Sequence, residues 1–433
     1  MPLIASAANI VASGTCGADG DNLTWTLDDE GTLTISGSGA MKTYSSSSSA
    51  PWDTYRSSIK KAIIESGVTS IGNYAFYKLG NLTSMEIGNS VTFIGESALY
   101  ECKSLTKIEI PDSVITIGRK VFYGCSSLTK VRIPHSVTSI EEYTFSRCTS
   151  LASVEIGNSV ETIGGDAFSN CTSLKSVNIP NSVSIIGYRA FYECNLTAIN
   201  IPNSVTSIGG YAFYNCDFVS IDIPASVASI ATTTFDGCYY LTTISVDSAN
   251  PKYSCKDGVL FDKSKTWLHR YPAGKEGEYS IPNSVIGINS YAFCGCNKLT
   301  GIDIPNSVTT IGSYAFYDCR KLSSMSIPDS VTRISDCAFG NCSGLSSISI
   351  PDSVKEIGYM VFYRCTSLKS IAIPASVATI ESSMFFECTK LESVDIPASV
   401  TTIKSDAFYR CVALSDVVIP VSVTTINSGA FHS

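Results

Sequence analysis

The chain has 433 residues, a formal net charge of −8 and only 16% charged residues. Thirty Lys and Arg against 38 Asp and Glu leave no basic stripe to neutralise phosphates, which argues against nucleic acid as a partner. No run approaches the roughly 18 apolar residues of a membrane-spanning helix.

The first sixteen residues are apolar and small, and Ala5-Ser6-Ala7 resembles a signal-peptidase site. Without a basic start, residues 1–16 read as the disordered remnant of a secretory signal. Residues 17–60 form the next segment. Leu23-Thr-Trp25-Thr-Leu27 and Thr32-Leu33-Thr-Ile35 alternate around Asp28-Asp29-Glu30-Gly31, the signature of a β-hairpin. A polar serine loop follows and ends in the aromatic pair Trp52 and Tyr55, expected to plug the end of whatever comes next. Asp19-Gly-Asp-Asn22 is a fragment of a calcium loop without its later ligands, and reads as a turn.

From residue 61 one phrase recurs, with the form IP-(N/D/A)-SV-x-x-IG-x-x-AF-x-x-C-x-x-L-x-x-I. Its valines are Val68, Val91, Val114, Val137, Val160, Val183, Val205 and Val227, then Val285, Val308, Val331, Val354, Val377, Val400 and Val423. The step is 23 residues, shortened to 22 into Val205 and Val227 and stretched to 58 at the break. A period in the low twenties carrying L-x-x-I-x-I falls in the leucine-rich repeat range, and such a unit buries its apolar face only by stacking on its neighbours. The expected fold over 61–433 is therefore a curved, right-handed leucine-rich solenoid of fifteen repeats, with residues 17–60 as its cap.

Within a coil, Leu105-x-x-Ile108-x-Ile110 alternates and reads as a strand on the concave side, with Lys107 and Glu109 outward. Pro111 ends it. Val114 and Ile117 return to the core. Gly118 is expected to open a helical turn that puts Val121, Phe122 and Cys125 on one face. Gly is preferred rather than required there, because the same column admits Glu141, Ala231, Ser335, Glu381 and Lys404. Thirteen of the 17 cysteines fill one column, from Cys102 and Cys125 to Cys388 and Cys411, which points to free, buried thiols rather than to disulfides or zinc. At the break, residues 247–281 carry a second hairpin signal, Val259-Leu-Phe261 and Trp267-Leu-His269 around Asp262–Lys265, closed by Tyr271-Pro272.

The copies IPNSVTSIGGYAFYNC (201–216) and IPNSVTTIGSYAFYDC (304–319) resemble the consensus of the BspA-like bacterial leucine-rich repeat surface proteins. The stretch NPKYSCKDGVLFDKSKTWLHRYPAGKEGEYSIP is similar to an element inserted in that family, and GDNLTWTLDDEGTLTISGSGAM to the module that precedes its arrays. The resemblance covers about residues 15–433. It implies a bacterial secreted or surface-displayed protein, and it transfers no residue-level binding motif.

No catalytic constellation emerges. The three histidines, His135, His269 and His432, lie far apart along a repeating array, so no Ser-His-Asp or Cys-His arrangement is expected. No phosphate-binding loop and no nucleophile elbow occurs, and neither a cofactor nor a metal is expected. Two surface columns are candidates for a partner. The outward strand column runs Glu86, Glu109, Arg132, Glu155, Asn178, Asn200 and Asp222, acidic to amide in character. The second is an edge of tyrosines, chiefly Tyr77, Tyr100 and Tyr123, whose rings combine an apolar body with a wet hydroxyl. The reading is a monomeric adhesion protein that presents a solenoid surface to a host or bacterial surface protein or to a glycan. The alternative is a passive spacer or attachment module of a longer surface protein.

Overall fold

The computed structural model describes residues 8–46, 49–415 and 417–432. They fall into two compact units, one running through Cys216 together with Ser229–Phe235, the other comprising Asp217–Ala228 and the chain from Asp236 onward.

The first unit opens with three strands, β1 (Ile10–Gly17), β2 (Gly20–Asp28) and β3 (Thr32–Gly37). They pair antiparallel, with Ala12 opposite Leu27 and Trp25 opposite Ile35. The turn between β2 and β3 is fixed by Asp28, whose Oδ1 accepts from the Thr32 N–H at 2.7 Å. Gly31 sits there at φ 89°, where a Cβ would stand 2.3 Å from the Ser58 carbonyl oxygen. β3 then pairs in parallel with Lys61–Ile64, so the hairpin passes directly into the repeat's strand wall. The expected boundary at residue 16 therefore falls inside a strand. Residues 10–16 are ordered because β2 needs a ladder partner on its outer edge, and because Gly14 leaves room for the Trp25 indole, whose Nε1 lies 2.8 Å from where a Cβ would stand. Residues 1–7 of the expected signal remnant lie outside the described residues. Trp52 is the plug: it is fully buried, stacks on Phe76 at 5.6 Å and donates from Nε1 to the Ala75 carbonyl at 2.9 Å. Tyr55 stays at the surface beside Trp25.

Among the described residues, the coils through Ile403 contribute two short parallel strands each. One lies at L-x-x-I-x-I, where Lys130–Arg132 registers with Ser153–Glu155. The other lies at V-x-x-I, where Thr116 and Ile117 register with Phe93 and Ile94. The expected helical turn is absent. In its place is a third ladder of backbone bonds, in which the N–H groups of Lys120, Phe122 and Gly124 donate to the carbonyls of Glu142, Thr144 and Ser146 in the next coil at 3.1, 2.9 and 2.8 Å. The intervening N–H groups close tight turns within the coil, as from Tyr123 to Lys120 and from Cys125 to Phe122. This alternation puts two residues per coil in the left-handed region, Lys120 at φ 57° and Arg147 at φ 61° among them, although neither is glycine. A helix, about 10 Å across, does not fit where this third ladder also holds neighbouring coils about 4.8 Å apart. Gly118 accordingly marks a close approach: a Cβ would lie 2.8 Å from the backbone nitrogen of Glu96 in the coil before.

The columns then stack like on like. Phe122, Phe145, Phe168 and Phe191 are fully buried, with centroids 5.2 to 5.4 Å apart and near-parallel rings. The serine of most SV pairs donates to the carbonyl of the preceding coil's valine, as Ser113 does to Val91 at 2.7 Å and Ser182 to Val160 at 2.6 Å. The cysteine column does the same from inside. Cys148 donates its thiol hydrogen to Phe122 at 3.1 Å, and Cys171 to Phe145 at 3.2 Å. All seventeen cysteines are free. Burial pushes the Cys125 thiol up to about 12, so the reactive thiolate is suppressed.

In the second unit, the segment at the break is more than a hairpin. Tyr253–Lys256, Val259–Asp262 and Trp267–Arg270 form an antiparallel meander, and the third of these strands also pairs in parallel with Gly287–Ile288. Gly277–Ser280 joins the strand wall beside Leu299–Asp303. Between them Tyr271 occupies the phenylalanine column, stacked on Phe293 at 5.1 Å, and its N–H enters the third ladder through Ala292. The insertion therefore supplies a complete coil of its own, making sixteen with the fifteen copies. Asn250 anchors its start: fully buried, it donates to the Pro224 and Val227 carbonyls at 2.8 and 2.9 Å, as the column serines do elsewhere.

Two outcomes test this packing. Phe122→Ala should lower local stability by about 3–5 kcal/mol, read as lost hydrogen-exchange protection in the Val114 and Val137 coils. Thiol titration in denaturant should recover all 17 cysteines. In the native protein the partly exposed Cys255 should react first, Cys294 more slowly because burial raises its pKa, and the column not at all. A low count in denaturant would mean that the column is oxidised.

Candidate binding surfaces

The strand wall of the first unit presents Glu86, Glu109, Arg132, Glu155, Asn178 and Asn200 outward, and all but the half-buried Arg132 are exposed. Asp222 belongs to the second unit, where its carboxylate accepts from the Ser245 hydroxyl. The column is less acidic than a single position suggests. Strand period two puts Lys107 on the same face as Glu109, and Lys130 beside Arg132. Lys61 lies 2.6 Å from Glu86, and Arg132 lies 2.8 Å from Asp112 and 3.9 Å from Glu155. Lys107, Glu109, Asp112, Lys130, Arg132 and Glu155 line one groove, three cations against three anions. Asn178 and Asn200 register with each other beyond it. The strand wall of the second unit differs: Ser324, Ser326, Ser347, Ser349, Ser370 and Ser393 face outward, all exposed.

The tyrosine edge is a stack. Tyr77 and Tyr100 lie 5.1 Å apart, and Tyr100 and Tyr123 lie 4.7 Å apart with only 6° between their planes. Burial, followed by the neighbouring Tyr123, raises the Tyr100 hydroxyl above its ordinary pKa. The column then changes to Ser146 and Ser169, buried and joined through their hydroxyls at 2.8 Å, before resuming at Tyr192 and Tyr214. Guanidinium groups cover the interrupted ends: Arg147 lies over Tyr123 and Arg189 over Tyr192, at 5.7 and 3.9 Å from the ring centroids. The ring faces are thus spent on one another and on arginine, so Tyr77, Tyr100 and Tyr123 offer a partner their edges and hydroxyls.

The histidines hold local structure. His135 Nδ1 accepts from the Asn158 N–H at 3.0 Å, His269 packs on Tyr253 and Asn289, and His432 stacks on Tyr409. Burial pushes the His269 pKa down. Among the described residues no group of three or more His, Cys, Asp and Glu could hold a metal ion. The strongest buried charge is structural. Arg270 donates to Asp236 at 2.6 Å and to the Tyr291 carbonyl at 2.7 Å, fixing the inserted coil to its neighbours. Burial lifts the Asp236 carboxyl to about 6 against the opposing pull of Arg270. Sequence reading gave Asp236 no role, because its partner lies 34 residues away in a coil without the repeat motif. It also missed Trp267, whose indole lies over Gly287. The available signal was a glycine at a position where neighbouring copies carry Thr310 or Arg333.

Comparison with known families finds the model of the BspA type leucine rich repeat region, six copies, matching residues 54–175, 161–256, 277–344 and 309–433. Among solved structures, a leucine-rich repeat protein from Eubacterium ventriosum is similar at 29% identity and a TM-score of 0.53, over 97% of this chain and 95% of its own. A leucine rich cell surface protein from Faecalibacterium prausnitzii is similar at 29% identity and a TM-score of 0.52, over 89% of this chain and 94% of its own. The search of curated proteins found no match.

Removing one partner of the buried pair should be costly. Asp236→Ala is expected to destabilise the second unit by about 3–5 kcal/mol in urea unfolding, because it strands the Arg270 charge. The double change Asp236→Ala with Arg270→Met should recover much of that loss. If the single change is harmless, the pair does not hold the inserted coil.

Proposed function

Because the chain belongs to the BspA-type leucine-rich repeat family, we propose that it is a secreted or cell-surface protein that works by binding, with adhesion to a protein or glycan as its task. The observation that carries this reading is the groove of Lys107, Glu109, Asp112, Lys130, Arg132 and Glu155. It sets exposed charges of both signs on a backbone locked by three ladders, at a fixed spacing per coil. Such an array is preorganised, so a partner meets it without an ordering cost. Its mixed charge suits a protein surface of alternating sign or a hydroxyl-rich glycan. The histidines, the cysteine column and the buried Asp236 are all engaged in packing, which supports binding rather than chemistry. The similar protein from Faecalibacterium prausnitzii is described as a cell surface protein, which supports display outside the cell. No helix among the described residues is long and apolar enough to cross a membrane. We expect the chain to act as a monomer.

A passive spacer role is favoured for the second unit by one observation, the run of outward serines from Ser324 to Ser393, flanked by Asp303 and Asp395. A face of short hydroxyls offers a partner little to discriminate.

The combined change Glu109→Ala, Arg132→Ala and Glu155→Ala should weaken binding to a captured partner about tenfold or more. Raising the salt concentration should weaken the wild type as well. In the comparison variant, Tyr77, Tyr100 and Tyr123 are each changed to Phe, which removes only the hydroxyls and should have little effect. Loss of binding in the tyrosine variant alone would move the site to that edge. Indifference to both would favour the spacer.

A further inference from the structure

We propose that Trp267, seated on Gly287, is a platform for one pyranose ring of a neutral glycan. The inference rests on the binding reading above and assigns a different surface, the V-x-x-I wall of the inserted coil, to the glycan.

A Cβ built on Gly287 would stand 2.4 to 2.6 Å from three consecutive indole carbons, Cζ3, Cε3 and Cη2. Nearly equal distances to three adjacent ring atoms mean that the glycine meets the ring face, since an edge would bring one atom much closer than its neighbours. The indole therefore lies flat on the wall with its other face outward, and the residue remains 37% exposed. This is the reverse of the tyrosine stacks, whose faces are covered. The platform is held from behind: Asp262 accepts from the Thr266 and Trp267 N–H groups at 2.7 and 2.8 Å, and the Thr266 hydroxyl donates to the same carboxylate at 2.8 Å. Leu268 is fully buried beneath it. The adjoining outward position is Ile286, 44% exposed. Beyond Gly287 the column continues in register with Thr310 and then Arg333.

These parts match a sugar ring. The C–H face of a pyranose carries partial positive charge and is attracted to the negative face of an aromatic π system. Its equatorial hydroxyls project sideways, where Thr310 and Arg333 supply polar partners along the wall. The exposed apolar surface is one indole and one isoleucine, too small to anchor a stable protein interface of about 1,200 Å² or more. One ring over one ring is the scale that fits.

The fluorescence of the intact chain reads this site selectively. Of its three tryptophans, Trp25 and Trp52 are 4% and 0% exposed, so iodide should quench Trp267 almost alone. The probes are cellotetraose, mannotetraose and chitotetraose, each at about 10 mM because a single platform implies millimolar affinity. At least one should reduce iodide quenching about twofold, with binding confirmed by calorimetry. Trp267→Ala should abolish that heat of binding. Gly287→Thr, which keeps the indole but lifts it from the wall, should weaken binding about tenfold. Both variants should still unfold in one cooperative transition, somewhat below the wild-type temperature because each disturbs the contact between the indole and Gly287, while the buried columns of the coil are unchanged. The Glu109, Arg132 and Glu155 triple variant should bind the tetrasaccharide normally. If none of the three sugars protects Trp267, or if Trp267→Ala binds as the wild type does, the platform is overturned. If the triple variant loses the sugar while Trp267→Ala keeps it, the platform is likewise overturned and strand-face binding stands.

Discussion

Everything in this molecule follows from the spacing of backbone hydrogen bonds between coils. Three ladders per coil hold successive turns at the strand-to-strand distance of about 4.8 Å. Whatever one coil places inside must then repeat in the next at nearly that distance. Flat rings satisfy this by stacking, and the buried phenylalanines do so at 4.8 to 6.1 Å. Small thiols satisfy it by donating to a carbonyl of the coil before. On the turn side the third ladder takes the place of a helix, and it puts non-glycine residues such as Lys120 and Arg364 in the left-handed region. That conformation costs about 1–2 kcal/mol per residue, a debt the third ladder offsets by satisfying alternate N–H groups.

The sequence was legible where a column repeats and opaque where it stops. Valine, isoleucine, phenylalanine and cysteine recur at fixed intervals, and each proved to be a buried column. The turn stretch was misread because apolar residues at Val121, Phe122 and Cys125 fit one face of a helix as well as a coil of tight turns. Periodicity fixes which side faces inward but does not say where the N–H groups go. The extra coil was hidden for a different reason. Tyr271 stands in for phenylalanine and Trp267-Leu268 for the usual threonine and isoleucine, so the insertion lacks the phrase that announces a repeat. Its identity emerges from contacts, Tyr271 on Phe293 and Arg270 on Asp236.

The candidate site was legible in position and misjudged in character. The outward residues from Glu86 to Asn200 do face solvent, but Lys107, read as outward beside Glu109, was not counted into the charge of the column, nor was Lys130. Lys107 and Lys130 convert an acidic line into a balanced groove. The tyrosines were recognisable as an edge. Only the interplanar angle of 6° between Tyr100 and Tyr123 shows that their faces are already occupied. Sequence reports which side chains share a face, and geometry decides which part of each remains available.

A regular array has a further consequence for recognition. Where a column repeats one residue, as in the tyrosine stack, each side chain is covered by the next copy of itself and little of its face is left for a partner. Within such a column, a face is freed only where the repeat is interrupted. The serines at 146 and 169 interrupt one tyrosine column, and Arg147 and Arg189 lie over the ring faces on either side of the gap. At Gly287 the break is of another kind, because a missing side chain lets the indole of the preceding coil lie down and turn a face outward. The inserted coil costs the array its regularity and a buried ion pair. In return it frees one aromatic face, which the stacked tyrosine and phenylalanine columns of the regular copies keep covered.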